Sequence, residues 1–242
     1  MDLHDRVALV TGAGKRLGQS IAVGLGHQGC DVAVHYHGSA DGAEVTARSV
    51  REAGRTARVF QADLLDGAAA RALPDQVAAA FGRLDIVVNS AAVMVQRELA
   101  SITAADWNDA LALNLSASFF VSQGAAPHLR KARGKIVNLA DLAAFEVWPA
   151  YLPLNVSKAG VVMLTHGLAR ILAPDITVNA VAPGAVLPPD DWPVAARDRL
   201  AATTPLRRLG SPEDVVRAVV FLLENDYLTG VVLPVDGGRL VR

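Results

Sequence analysis

The sequence predicts a single-domain α/β fold, a doubly wound and mostly parallel sheet of about seven strands with helices on both faces. Three observations carry this expectation. Short β-branched runs alternate with longer helical patterns along almost all of the 242 residues. The strand-like runs are apolar throughout rather than alternating, as strands covered on both faces are. A glycine-rich turn joins the first of these strands to the first helix, opening a βαβ unit. The length suits one core. With 52% apolar residues the interior is sizeable, and with only 5% aromatics its filling falls to alanine, valine and leucine.

Taken in order, "RVALVTG" (6–12) reads as the first strand and "RLGQSIAVGLGHQG" (16–29) as the helix behind it. "DVAVHYH" (31–37) and "GAEVTARSVREAG" (42–54) form the second pair, and "ARVFQADL" (57–64) and "GAAARALPDQVAAAFG" (67–82) the third. Strands four to six fall at 84–91, 134–141 and 176–184, and a short last strand at 230–238. Ser211, Pro212, Glu213 and Asp214 open a helix: proline suits a first helical position, and acids suit the positive end of the helix dipole. The proline-rich "PGAVLPPDDWPVAARDRLAATTP" follows strand six, where ligands sit beyond the carboxyl ends of a doubly wound sheet. It is read as a substrate lid over about 184–205, an ordinary surface excursion being the alternative. No repeat, linker or low-complexity tail divides the chain into further domains.

The formal charge of −1 argues against nucleic acid or an anionic membrane as the main partner. Cys30 is the only cysteine, so no internal disulfide or thiolate metal site forms, and a reduced compartment fits best. The first residues lack the basic-then-apolar pattern of a secretion signal, and no apolar run reaches membrane-spanning length. A cytoplasmic protein is expected. The six histidines show no metal-ligand spacing; His35 and His37 share a strand face but lack a third ligand, so no metal is expected.

In "TGAGKRLG", Gly12 and Gly14 permit tight turning and close backbone approach, and Gly18 lets the helix pack near the sheet. A pyrophosphate would meet the free N–H groups at the helix N-terminus. The end of the second strand ordinarily reads the adenosine ribose, and an acid there selects NAD. This chain offers His35, Tyr36, His37, Gly38 and Ser39, while Lys15 and Arg16 stand close by to pair with a 2′-phosphate. NADP(H) is therefore expected over NAD(H). Asp63 would accept from an adenine amino group or cap a turn, and Asn89 would brace the backbone or line the cofactor cleft.

The motifs "TGAGKRLG", "QADL", "VVNSAA", "ALNLSASFF", "NVSKAG", "VNAVAPG" and "VDGGRL", in this order over essentially the whole chain, resemble the short-chain dehydrogenase/reductase family. Arg16, the run "HYHGSA" and Asp141, where most members have serine, resemble its pteridine reductase branch. The resemblance implies hydride transfer from a nicotinamide, a small-molecule substrate and a homotetramer. It assigns Gly12, Gly14, Lys15, Arg16, Leu17, Gly18, His37, Ser39, Asp63, Leu64, Asn89, Ser90, Ala91, Lys158, Pro183 and Gly184 to the cofactor. Asn114 would hold a water that links Lys158 to solvent, and Asp141 would sit beside the substrate. Met94, Phe145, Trp148, Tyr151, Leu187 and Trp192 would line the substrate pocket.

Three departures mark the chain. Leu154 stands four residues before Lys158, where the family carries its catalytic tyrosine; Met94 replaces an aromatic five residues after Asn89; and Gly38 replaces a basic residue. Reducing a carbonyl or imine needs a hydride on carbon and a proton on the heteroatom, and leucine cannot donate one. Asp141 is the best substitute, its carboxyl desolvated and opposed by Lys158, unless it only positions that lysine as an ion-pair partner. Tyr151 belongs to the loop before a helix that starts near Pro153 and would line the pocket or act through water. Ser157 points away from Lys158. Asp190 and Asp191 read as a solvated turn, although with Trp192 they could greet a polar ring.

The leading expectation is an NADP(H)-dependent reductase of a small cyclic or conjugated carbonyl or imine, with impaired or rerouted proton transfer. The alternatives are a catalytically silent nucleotide-binding or sensing protein and a non-redox enzyme reusing the pocket through Asp141 and Tyr151.

Overall fold

Successive side chains along a strand point to opposite faces, and in this chain both faces are apolar. Ala8 and Val10 of β1 (Val7–Val10) enter one buried layer with Ile21, Leu25, Val50 and Val219, while Val7 and Leu9 enter the other with Leu73, Val77, Val121 and Leu129. The computed structural model describes residues 1–188 and 192–241. Seven parallel strands lie in the order β3-β2-β1-β4-β5-β6-β7. The others are β2 (Asp31–Tyr36), β3 (Ala57–Gln61), β4 (Ile86–Asn89), β5 (Lys135–Leu139), β6 (Thr177–Pro183) and β7 (Val232–Val235). The order reverses between β1 and β4, which opens a crevice at their carboxyl ends.

One face is covered by α1 (Arg16–His27), α2 (Ala40–Glu52) and α8 (Pro212–Glu224). The other is covered by α3 (Gly67–Phe81), α5 (Ala117–Ala132) and α6 (Leu152–Leu172). Fully buried leucines such as Leu9, Leu73 and Leu129 each contribute roughly 1.5–3 kcal/mol. Asp85 is buried at the opposite end of the sheet, and Arg6, Arg83 and the Val7 N–H all donate to its carboxylate. Pro234 sits in β7, an edge strand, where a missing N–H leaves no inner ladder bond unmade.

The strands are shorter than their apolar runs because the last residues of each run turn into the crevice. Thr11 and Gly12 follow β1, His37 lies past β2, and Asp63 lies past β3 rather than closing it. Helix α2 begins at Ala40, ahead of the expected start. The expected lid contains a further helix, α7 (Val194–Ala202). Between β4 and β5, α4 (Ala104–Leu111) passes through a π-helical turn (Ala112–Ser116) into α5. Such an inserted turn re-aims a side chain, and this one turns Asn114 inward. No helix among the described residues is long and apolar enough to cross a membrane.

Candidate active site

A cleft of about 870 Å³ runs along the carboxyl ends of the strands, from the turn after β1 to the start of α6. Its first end is a cradle that only glycines can shape. Gly12 has φ +65°, and a Cβ there would lie 2.8 Å from the Ala91 Cα; a Cβ on Gly18 would lie 2.4 Å from the Gly12 carbonyl oxygen. No side chain caps the N-terminus of α1, so its first N–H groups face the cleft without a side-chain acceptor. These features fit a dinucleotide pyrophosphate. Thr11 Oγ1 accepts from the N–H groups of Ser90 (2.9 Å) and Ala91 (3.1 Å), tying the β1 turn to the β4 turn across the crevice.

His35 fixes the cradle from beneath. Its Nδ1 accepts from the Gly12 N–H at 3.0 Å, and its Nε2 lies 3.1 Å from the Ala62 carbonyl oxygen, so the neutral Nε2–H tautomer satisfies both. Burial pushes this imidazole down to about 4, against the bond to Ala62. His37 is exposed, 3.9 Å from Asp63, so the two histidines have different surroundings. Asp63 accepts from the Leu65 N–H (3.0 Å), which makes it a turn cap, and it also lines the cleft. Lys15 is exposed at the cradle. Arg16 takes φ +54° and donates from Nη2 to the Leu187 carbonyl at 2.6 Å, joining the glycine turn to the base of the expected lid.

At the far end stand Asp141, Leu154 and Lys158, with Trp148, Tyr151, Met94, Leu187 and Trp192 on the walls. Lys158, on α6, donates to the Leu139 carbonyl at 2.5 Å, and burial pulls its ammonium down to about 8 against the attraction of Asp141. Burial raises the Asp141 carboxyl, opposed by the Ala143 N–H bond (2.8 Å) and by the charges of Lys158 and Arg239. Asp141 and Lys158 make no ion pair within 4.0 Å among the described residues, so the direct ion-pair role weighed for Asp141 does not form. Leu154 is 3% exposed and presents only an apolar surface to the cleft. Tyr151 lies in a short 3₁₀ turn (Pro149–Tyr151) running directly into α6, and its hydroxyl donates to Gln96 Oε1 at 3.0 Å.

Other expected residues lie off the cleft wall. Phe145 is 48% exposed and outside the lining, because the turn through Leu142–Ala144 carries it past the rim. Asn89 is buried and donates to Asn138 (2.9 Å) and Ser122 (3.1 Å), bracing β4 against β5 and α5 instead of lining the cleft. Asn114 exchanges both bonds with the Val93 backbone (2.8 and 3.0 Å) and donates to Ser157 (3.0 Å), so its side chain is engaged within the protein. Ser157 in turn donates to the Leu154 carbonyl at 2.9 Å. Asp190 and Asp191 lie outside the described residues. No cluster of three or more metal-ligating side chains occurs among the described residues. Sequence reasoning missed Arg239, Glu146 and Leu200. Arg239 and Leu200 line the cleft, and Glu146 bonds both Arg239 and Trp148.

A doubly wound sheet with this cradle, and a lysine on the helix at the opposite end of the same cleft, defines a dinucleotide-dependent oxidoreductase fold. A family model described as enoyl-(acyl carrier protein) reductase matches residues 12–239. The 3-oxoacyl-(acyl-carrier-protein) reductase FabG of Staphylococcus aureus is 35% identical over 237 residues, covering 96% of each chain. An uncharacterized oxidoreductase of Mycobacterium tuberculosis is 35% identical over 244 residues, covering 98% of this chain and 92% of that one. A double mutant of the Serratia marcescens short-chain dehydrogenase/reductase superposes with a TM-score of 0.92 at 34% identity, covering 99% of this chain and 100% of that one. The chain belongs to the short-chain dehydrogenase/reductase family of oxidoreductases.

Proposed function

We propose that this protein is an NADP(H)-dependent reductase of a small cyclic or conjugated carbonyl or imine, akin to the pteridine reductases, with Asp141 in place of a phenolic proton donor. The observation that carries this reading is the placing at one end of the cleft of a half-buried Asp141, raised by desolvation, near a buried Lys158, while Leu154 closes the remaining wall. Gly12, Gly14 and Gly18 with the N-terminus of α1 would hold the pyrophosphate, and Lys15 and Ser39 the 2′-phosphate, Arg16 being turned to the Leu187 carbonyl. Pro183 and Gly184 would lie under the nicotinamide. The bound cofactor supplies the hydride.

The chain's own residues supply the rest. Lys158, held by the Leu139 carbonyl, orients the ribose and keeps a positive charge beside the reacting atoms below about pH 8. Asp141, protonated over a wider pH range than an ordinary carboxyl, donates to the substrate heteroatom as charge develops there. Leu154 sets an apolar surface beside that proton. In this reading the protein is cytoplasmic and works as a homotetramer.

A second reading, a nucleotide-binding protein without turnover, is favoured by the same apolar Leu154. One experiment separates them: NADPH oxidation over pterins, quinones and ketones, with the unsubstituted chain and with Leu154→Tyr. Turnover by both supports Asp141 as donor. Turnover by the tyrosine variant alone, with tight NADPH binding by both, identifies a silent scaffold. NADH binding as tightly as NADPH would overturn the cofactor assignment.

A further inference from the structure

The C-terminal turn delivers a cation to the substrate end of the cleft. Asp236 accepts from the N–H groups of Gly238 and Leu240, both at 2.8 Å, winding the chain into a hook. Gly237 has φ +65°, and a Cβ there would lie 2.5 Å from the Thr204 Cγ2, so the hook seats directly on the end of the expected lid. The Leu206 N–H donates to the Gly237 carbonyl at 3.1 Å and fastens it. Arg239 follows and lines the cleft with Asp141 and Lys158, its side chain 17% exposed.

Its guanidinium is oriented from two sides. Nε donates to Glu146 Oε2 at 3.2 Å, and the Trp148 Nε1–H donates to the same oxygen at 3.2 Å. The Arg239 Cζ stands 5.8 Å from the Trp148 ring centroid. Trp148 in turn meets Tyr151 edge-on with centroids 6.1 Å apart. An arginine over an aromatic ring gains cation–π attraction while its in-plane N–H donors stay available. Glu146 takes the Nε position, and no acceptor among the described residues bonds the two terminal nitrogens. These form the planar fork that matches a carboxylate.

We propose that Arg239 is a substrate-anchoring residue, its free guanidinium edge binding a carboxylate carried by the planar substrate. The inference rests on this cleft being the substrate site, and it narrows the substrate class to a ring system bearing an anionic carboxylate. Glu146 and Trp148 are positioning residues that hold the fork in register with the reacting end.

The test uses two planar ligands that differ only at the anchor, 2-naphthoate and 2-naphthamide. They are titrated by calorimetry into the full chain at saturating NADP⁺. The expected result is naphthoate binding about tenfold or more tightly than naphthamide. Arg239→Met removes that preference, and Arg239→Lys keeps part of it. An unchanged near-ultraviolet circular dichroism spectrum of Arg239→Met shows that the Trp148 wall survives the substitution. Equal affinities in the unsubstituted chain, no naphthoate binding, or a preference that persists in Arg239→Met would each overturn the assignment. Neither ligand is reducible here, so this result is independent of the turnover screen: the reductase reading fails on turnover, the anchor on the naphthoate preference.

Discussion

Acidification strikes first at His35, which carries the glycine cradle on its Nδ1. In the folded chain its imidazole titrates at about 4, against an ordinary value of 6.5, because burial disfavours the cation. A histidine with a depressed folded value contributes stability above its unfolded value and loses it as pH falls toward the folded one. The window is thus from 6.5 down to about 4. Between pH 7 and pH 5 the unfolded chain takes up a proton here that the folded chain refuses, which corresponds to about 2 kcal/mol of lost stability. His35→Gln keeps a carbonyl acceptor for Gly12 and an amide donor for Ala62 but cannot titrate. Urea unfolding of both proteins at the two pH values isolates the term, since the other titrating groups are shared. The loss on acidification should be smaller in the variant by about 2 kcal/mol. Equal losses in the two proteins would refute the buried, neutral imidazole.

Asp141→Asn should lower kcat/KM by roughly a hundredfold to ten-thousandfold. Because a donor acts only while protonated, the unsubstituted chain's rate should fall as pH rises through the raised Asp141 value, a limb absent from the variant's profile. Gly18→Ala should weaken NADPH binding more than tenfold by titration, since its Cβ would meet the Gly12 carbonyl at 2.4 Å and force the cradle apart. Asp85→Ala should destabilise the fold by about 1–3 kcal/mol in urea, leaving the buried Val7 N–H without its acceptor while the part-exposed Arg6 and Arg83 turn to water.

Strand and helix periodicity, the glycines of the first turn and the spacing of Leu154 from Lys158 are properties of neighbouring residues, and the sequence by itself determined them. They were enough for the sheet, the glycine turn after β1 and the apolar side chain four residues before Lys158. Segment ends were less legible, because residues such as Thr11, His37 and Asp63 have strand-like neighbours and leave the strand only where the crevice opens. Helices α4 and α5 carried no separate expectation, since the π turn at Asn114 interrupts their period.

The tertiary structure alone decided the partnerships. His35 looked like one of a histidine pair until Gly12 and Ala62, distant in sequence, closed around it. Asn89 turned out to be a brace because α5 and β5 bring acceptors to it, and the Asn114 side chain is held by the Val93 backbone and Ser157. Phe145 left the pocket because a short turn rotates it outward. Arg239 stands 93 residues from Glu146 in the chain, and only the hook through Asp236 brings them to one wall. Local pattern records what each segment can be, whereas the charge and shape of the cleft depend on contacts between segments that no local pattern encodes.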